Sequence, residues 1–250
     1  MKTVALVASI SGLILLATLV RADDPKPGQQ VPMKTTVMVK NGDKEEAVEI
    51  QYLLFLPQGH GSAEKKDEKW PLMLFLHGAG ERGDSLDLVK KHGPPKLVQE
   101  KKEFPFITIS PQCPIGKFWN PQQMAKLVDH VANTYSADPK RLYVTGLSMG
   151  GFGSWNLLAD YPGKFAAAVP ICGGGEPSKV DKMKETPIWV FHGAKDTAVS
   201  IKKSEEMVDA LKKAGGNVKF TMYPEAGHDS WTETYNNSEV YKWLLEQKLK

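Results

Sequence analysis

Leu142-Tyr143-Val144-Thr145-Gly146-Leu147-Ser148-Met149-Gly150-Gly151 is the stretch that decides the fold. A short β-rich run leads directly into G-x-S-x-G, and residues 150–160 then carry helical spacing. A serine on so abrupt a strand-to-helix turn needs glycine two places before and two places after it, because bulkier side chains would clash there. The turn exposes the hydroxyl and points a helix N-terminus at it. Working outward, short apolar runs recur at residues 72–76, 106–109, 167–171, 188–191 and 218–222. Between most of them lies helical spacing: Met124, Leu127, Val128, Val131; Trp155, Leu157, Leu158; Ile201, Met207, Val208, Leu211. A last helix fits Val240, Trp243 and Leu244. Strands alternating with helices predict βαβ units: an α/β fold with a mostly parallel central sheet and helices on both faces. Two β-rich runs, 35–39 and 48–56, flank Asn41-Gly42-Asp43 and predict an N-terminal antiparallel hairpin.

The first 22 residues have a different character. Lys2 supplies a positive start, residues 4–20 are apolar apart from Ser9, Ser11, Gly12 and Thr18, and Val20-Arg21-Ala22 offers small residues at the two positions a signal peptidase reads. That is the layout of a cleavable signal peptide, although the run also reaches the short limit for a membrane span. Cleavage predicts a chain starting near Asp23, secreted or periplasmic, with no stable membrane anchor. Residues 23–34 are rich in Pro, Gly, Asp and Lys and read as a linker, leaving 35–250 as one catalytic domain. The formal charge of +3 includes Lys2 and Arg21; without them 30 basic side chains face 29 acidic ones. A near-neutral chain gives no support for nucleic-acid binding. With 41% apolar and 24% charged residues the chain is globular rather than disordered. Two cysteines make neither a disulfide scaffold nor a zinc site. With no metal cluster and no nucleotide loop, no cofactor is implied.

Open α/β sheets place their ligands beyond the carboxyl ends of the strands, so the residues there are the candidates for chemistry. Ser148 is the candidate nucleophile. A serine hydroxyl near neutral pH needs a base. Of the six histidines, His60 and His92 lie in loops, and His130 sits on the polar side of a predicted helix. His77 and His192 each end a strand in a His-Gly pair, where a structural role is expected. His228 follows the final strand in Gly227-His228-Asp229 and is the candidate base. The acid that orients it belongs between Ser148 and His228 at a strand end. Asp196 in Gly193-Ala194-Lys195-Asp196 meets that requirement. Asp160 and Asp181 fall in or beside helices, and Glu225 is a rival on the histidine's own loop. Two backbone N–H groups should face the developing oxyanion. Met149 supplies one, and the loop His77-Gly78-Ala79-Gly80 supplies the other through Ala79, with Gly78 as runner-up.

Leu76-His77-Gly78-Ala79-Gly80-Glu81-Arg82-Gly83, the turn at Ser148, His192-Gly193 running to Asp196, and Gly227-His228-Asp229-Ser230-Trp231 together resemble the α/β-hydrolase superfamily. The likeness is to its phospholipase/carboxylesterase and dienelactone-hydrolase branch, which includes exported esterases akin to the prolyl oligopeptidases. It covers residues 48–250 and implies an α/β-hydrolase fold, a Ser148–Asp196–His228 triad and a small-molecule ester substrate. That branch spans carboxylesterases, thioesterases, feruloyl-type esterases and peptidases, so the resemblance is weak for substrate. Only a short connection separates Cys172 from Pro187, where many hydrolases insert a lid, so no large lid domain is expected and short-chain or aryl esters are favoured.

Trp119, Phe152, Trp155 and Trp231 lie near these residues in sequence, and Trp119 and Trp231 are the candidates for contact with substrate. Arg82 is expected in a structural salt bridge, with binding of a substrate carboxylate as the alternative. Cys113 and Cys172 both follow strands on the same side of the sheet, so a disulfide between them is an open expectation. Asn236-Asn237-Ser238 is a glycosylation sequon, meaningful only in a eukaryotic secretory pathway. Two other functional classes remain. A serine peptidase acting on short peptides would use the same triad, and an inactive hydrolase fold could serve as a binding module. The oligomeric state is not legible.

Overall fold

A computed structural model describes residues 25–100 and 103–250. The segment read as a signal peptide lies outside them. Among the described residues no helix is long and apolar enough to cross a membrane.

The strands are β1 (Gln30–Asn41), β2 (Lys44–Phe55), β3 (Trp70–Leu76), β4 (Ile107–Pro111), β5 (Ala137–Leu147), β6 (Ala167–Ile171), β7 (Ile188–Gly193) and β8 (Val218–Tyr223). They form one sheet in the order β1-β2-β4-β3-β5-β6-β7-β8. β1 and β2 make the expected hairpin, with Asn41 opposite Lys44, and β2 also runs antiparallel to β4. Every later pairing is parallel. The first strand starts at Gln30, earlier than residue 35, so the linker expected over 23–34 loses its last five residues to β1. Burial along β1 falls on every second residue towards its end, at Val37 and Val39, as in a strand with one wet face.

The helices are α1 (Leu86–Val89), α2 (Gly93–Glu100), α3 (Pro121–Thr134), α4 (Met149–Asp160), α5 (Lys202–Lys213), α6 (Trp231–Asn236) and α7 (Ser238–Glu246). Asn120 caps α3, its Oδ1 accepting the Gln122 and Gln123 N–H groups at 2.9 and 3.1 Å. Of the seven, α1, α2 and α6 were not expected. Gly93-Pro94-Pro95 reads as a loop, yet proline in a first helical turn gives up only N–H groups that have no intrahelical partner.

Alternate residues of each central strand feed two separate cores. Leu142 and Val144 of β5 join one with Leu127 and Val128 of α3, Trp155 and Leu158 of α4, and Met207 and Leu211 of α5. Tyr143 and Leu147 join the other with Leu97 and Val98 of α2, Tyr235 of α6, and Val240 and Leu244 of α7. The sheet is thereby covered on both faces, and the parallel strands direct their carboxyl ends to one edge. Between β6 and β7 only a 3-10 turn, Pro177–Lys182, intervenes, so no large lid stands there.

Candidate active site

Ser148 sits between β5 and α4 with φ +52° and ψ −115°, a strained conformation for a residue with a side chain. Its N–H is held by the Ile171 carbonyl of β6 at 3.0 Å. The flanking glycines are required by contact. A Cβ on Gly150 would lie 1.8 Å from the Leu76 carbonyl oxygen, and one on Gly146 would lie 2.4 Å from the Gly150 oxygen. The helix therefore starts against the end of β3, and the hydroxyl stands at its N-terminus.

Ser148, His228 and Asp196 come together from three strand ends. Ser148 Oγ lies 3.0 Å from His228 Nε2, and His228 Nδ1 lies 2.7 Å from Asp196 Oδ2. Asp196 Oδ1 accepts the Ala198 and Val199 N–H groups at 2.8 and 2.9 Å. Burial alone would raise the Asp196 carboxyl, but the His228 hydrogen bond, these two N–H donors and the charge on His228 outweigh it and hold the group below its ordinary value. The imidazole is thus oriented by an ionised carboxylate, and its far nitrogen faces the Ser148 hydroxyl. The loops meet because of Gly193, where a Cβ would lie 2.1 Å from the Gly227 carbonyl oxygen. Glu225 is exposed and pairs with Lys195, away from the imidazole.

Most of the remaining histidines have other partners. His60 hydrogen-bonds the Tyr135 carbonyl oxygen at 2.8 Å, and His130 is exposed on α3. His77 is buried; its Nε2 accepts the Cys113 N–H at 3.1 Å, and Nδ1 lies 2.7 Å from the Gly78 oxygen. His192, expected to be structural, is buried against Asp196 itself, at 3.1 Å.

On the oxyanion side, the Gly78 N–H is already given to the buried carboxylate of Glu81 at 3.0 Å. That occupies the runner-up; Ala79 is exposed on the same loop, and Met149 opens α4 directly after Ser148. Glu81 carries a single signal in the sequence: an acid three residues after the His-Gly pair, spaced as a cap.

Trp119 is buried, donates Nε1–H to the His77 carbonyl at 3.1 Å, and lies against Gly153 of α4, where a Cβ would be 2.8 Å from the indole. It lines a cavity of about 530 Å³ with Ile50, Asp84, Gln112, Phe118 and Met124. Trp231 packs edge-on against His228, centroids 5.2 Å apart, and against His92 at 5.5 Å. Trp155 is core. Arg82 makes no salt bridge among the described residues; it donates to the Ala79 and Lys117 carbonyls at 3.0 and 3.2 Å, tying the oxyanion loop to the rim of the cavity.

Cys113 and Cys172 are both free and buried, so the disulfide does not form. Their strands, β4 and β6, are separated by β3 and β5. Three strand spacings make roughly 14 Å, far beyond the reach of a disulfide. Cys172 offers Sγ within 4.8 Å of ligand atoms of Asp196 and His228. Burial pushes its thiol up to about 12. A metal needs the thiolate, and Asp196 and His228 already bind each other, so this trio does not suit a metal.

A model of the dienelactone hydrolase family matches residues 117–242, a span containing Ser148, Asp196 and His228. Over 78 residues, 31% of this chain and 29% of the other, the chain is 43% identical to acyl-protein thioesterase 1 of Neurospora crassa. Over 91 residues, 30% of each, it is 33% identical to acetylxylan esterase A of Emericella nidulans. This chain spans less than half the length of the curated relatives it matches. Among solved structures, a thermostable esterase superposes with a TM-score of 0.69 and 35% identity, covering 86% of this chain and 63% of that one. The family model takes in just over half of the sequence, from the loop after β4 to the last helix, and the chain belongs to the dienelactone hydrolase family.

Proposed function

We propose that this protein is a serine hydrolase that cleaves carboxylic esters of short acyl or aryl groups through an acyl-enzyme. The observation that carries the reading is the unbroken line from Ser148 Oγ to His228 Nε2 at 3.0 Å and from His228 Nδ1 to Asp196 Oδ2 at 2.7 Å. In the first step Ser148 Oγ attacks the ester carbonyl and its proton passes to His228 Nε2. The imidazolium is stabilised by Asp196 and then returns that proton to the departing alkoxide. The tetrahedral oxyanion is met by the Met149 and Ala79 N–H groups, at the positive end of α4. Water, activated by the same imidazole, hydrolyses the acyl-enzyme. The named relatives and the thermostable esterase support an ester over a peptide substrate.

Trp119 is the proposed contact for a flat acyl or leaving group; the cavity of about 530 Å³ that it lines is bounded by none of Ser148, Met149, Asp196 and His228, and adjoins the oxyanion loop only through Gly83 and Asp84. Trp231 is proposed to act chiefly by backing His228. Residues 1–22 are proposed to direct export and to be cleaved, which N-terminal sequencing of the mature protein tests: a first residue at or near Asp23 is expected.

The decisive experiment is labelling by a fluorophosphonate probe, paired with turnover of p-nitrophenyl esters, methyl ferulate and aminoacyl anilides. Labelling lost in Ser148→Ala and turnover confined to esters is the expected result. Preferential cleavage of the anilides would make the protein a peptidase with the same triad. No labelling of the parent protein, with no turnover of any substrate, would leave a binding module.

A further inference from the structure

A second imidazole reaches the acid of the proposed triad. His192, in β7, has a side chain with no solvent exposure, and its Nε2 lies 3.1 Å from Asp196 Oδ2. That is the oxygen facing His228 Nδ1 at 2.7 Å. The same Nε2 lies 2.9 Å from the Val199 carbonyl oxygen. Both neighbours are acceptors only, so Nε2 carries the proton and donates. On the far side of the ring Nδ1 lies 2.8 Å from Ser204 Oγ, and that hydroxyl lies 3.0 Å from the Gly173 carbonyl oxygen. Ser204 is in the first turn of α5 and is fully buried.

We propose that His192, with Ser204 behind it, is a positioning residue that fixes the rotation of the Asp196 carboxylate. The inference rests on the reading of Ser148, Asp196 and His228 as a catalytic triad. The terminal torsion of an aspartate is soft. Ala198 and Val199 pin Oδ1, which leaves Oδ2 dependent on a second donor. His228 cannot be that donor alone, because its own charge and hydrogen bonds change during each turnover. His192 stays bonded throughout and holds Oδ2 in line with His228 Nδ1. It also links the loop of the acid to α5, so the carboxylate is located by two elements of the fold rather than by one loop. Burial alone requires only that both nitrogens be paired, as those of His77 are; what singles out His192 is that one of its acceptors is the Asp196 carboxylate.

The test compares three substitutions at His192 and one at Ser204 in the full chain. His192→Phe fills the space without a donor, His192→Asn is too short to reach Oδ2, and His192→Gln restores an amide N–H near the position of Nε2. Steady-state turnover of p-nitrophenyl acetate is measured well below each protein's unfolding transition. His192→Phe and His192→Asn are expected to lower kcat by about tenfold or more with KM within about twofold, since only the transition state needs the aligned carboxylate. His192→Gln should recover most of that loss, and Ser204→Ala should lower kcat by about threefold. A folded His192→Phe or His192→Asn protein with parental kcat overturns the proposal, as does a Gln variant no better than Asn at equal thermal stability. Should the Phe variant not fold, Asn and Ser204→Ala carry the test, and parental kcat in the Asn variant still overturns it. Failure of the triad reading looks different: Ser148→Ala would then retain turnover.

Discussion

Gly150 carries a contact that no side chain can share. A Cβ there would meet the Leu76 carbonyl oxygen at 1.8 Å, and backbone at the end of a central strand has nowhere to retreat. Gly150→Ala is therefore expected to destabilise the fold by about 3 kcal/mol or more, the upper end for overpacking; a denaturant midpoint equal to that of the parent protein would refute the elbow's steric account. For the chemistry, Ser148→Ala and His228→Ala should each reduce ester turnover on the order of a thousandfold or more, because nucleophile and base act as a unit. Asp196→Asn should be nearly as damaging, since an amide can hold the imidazole in the wrong tautomer. Glu225→Gln should stay within about twofold of the parent protein, as expected for an exposed ion pair. A crippled Glu225→Gln beside an active Asp196→Asn would transfer the acid's role to Glu225.

At the scale of elements, the end of β3 is joined to the loop after β4 by His77. Burial lowers its basicity from the ordinary value of 6.5, against the opposing effects of the Gly78 and Gln112 hydrogen bonds and the Glu81 charge. Folding thus favours the neutral ring. The linkage has a fixed sign: stability from this site is fully present above 6.5 and is lost as pH falls from there through the lower value in the folded protein. Unfolding free energy measured from pH 8 to pH 5 should therefore fall on acidification, and His77→Gln should flatten that slope while lowering stability overall. An unchanged slope in the variant would show that other groups govern the acid limb. The same junction includes Trp119, whose indole N–H bonds the carbonyl of His77, the residue that leads into the loop carrying Ala79.

For the whole molecule, the short connection between β6 and β7 bears on substrate size. Without a mobile apolar cover, few methylenes of a long acyl chain can be buried, and each one left in water forgoes about 0.8 kcal/mol. Values of kcat/KM for p-nitrophenyl esters from C2 to C16 should be highest for the short acyl groups; a rise through C12 to C16 would refute this and leave the triad untouched. The two thiols test the packing. Both are buried and raised by burial, Cys172 to about 12. Alkylation should be negligible in the native protein and reach both cysteines once it is unfolded. A mass lower by two hydrogens before reduction would reveal a disulfide instead.

The alternation of short apolar runs with helical spacing located the six strands β3 to β8, because a parallel sheet covered on both faces demands continuous apolar strands and amphipathic helices between them, and the runs flanking Asn41-Gly42-Asp43 located β1 and β2. The G-x-S-x-G turn, the strand-end positions of Asp196 and His228, and the order of the three along the chain marked the site for a related reason: catalytic groups collect at one edge of such a sheet. Local chemistry could not settle contacts between distant segments. The partners of Arg82, the separation of Cys113 from Cys172, the bond from the Gly78 N–H to Glu81 and the approach of His192 to Asp196 were decided by tertiary structure. Each depends on which strand lies beside which, and on which loop carbonyl or carboxylate reaches a given donor first. The sequence determined the strands, four of the seven helices and the three residues that meet at the strand ends; the sheet order β4-β3-β5-β6-β7 determined their neighbours, because hydrogen-bond partners are chosen by distance in space rather than along the chain.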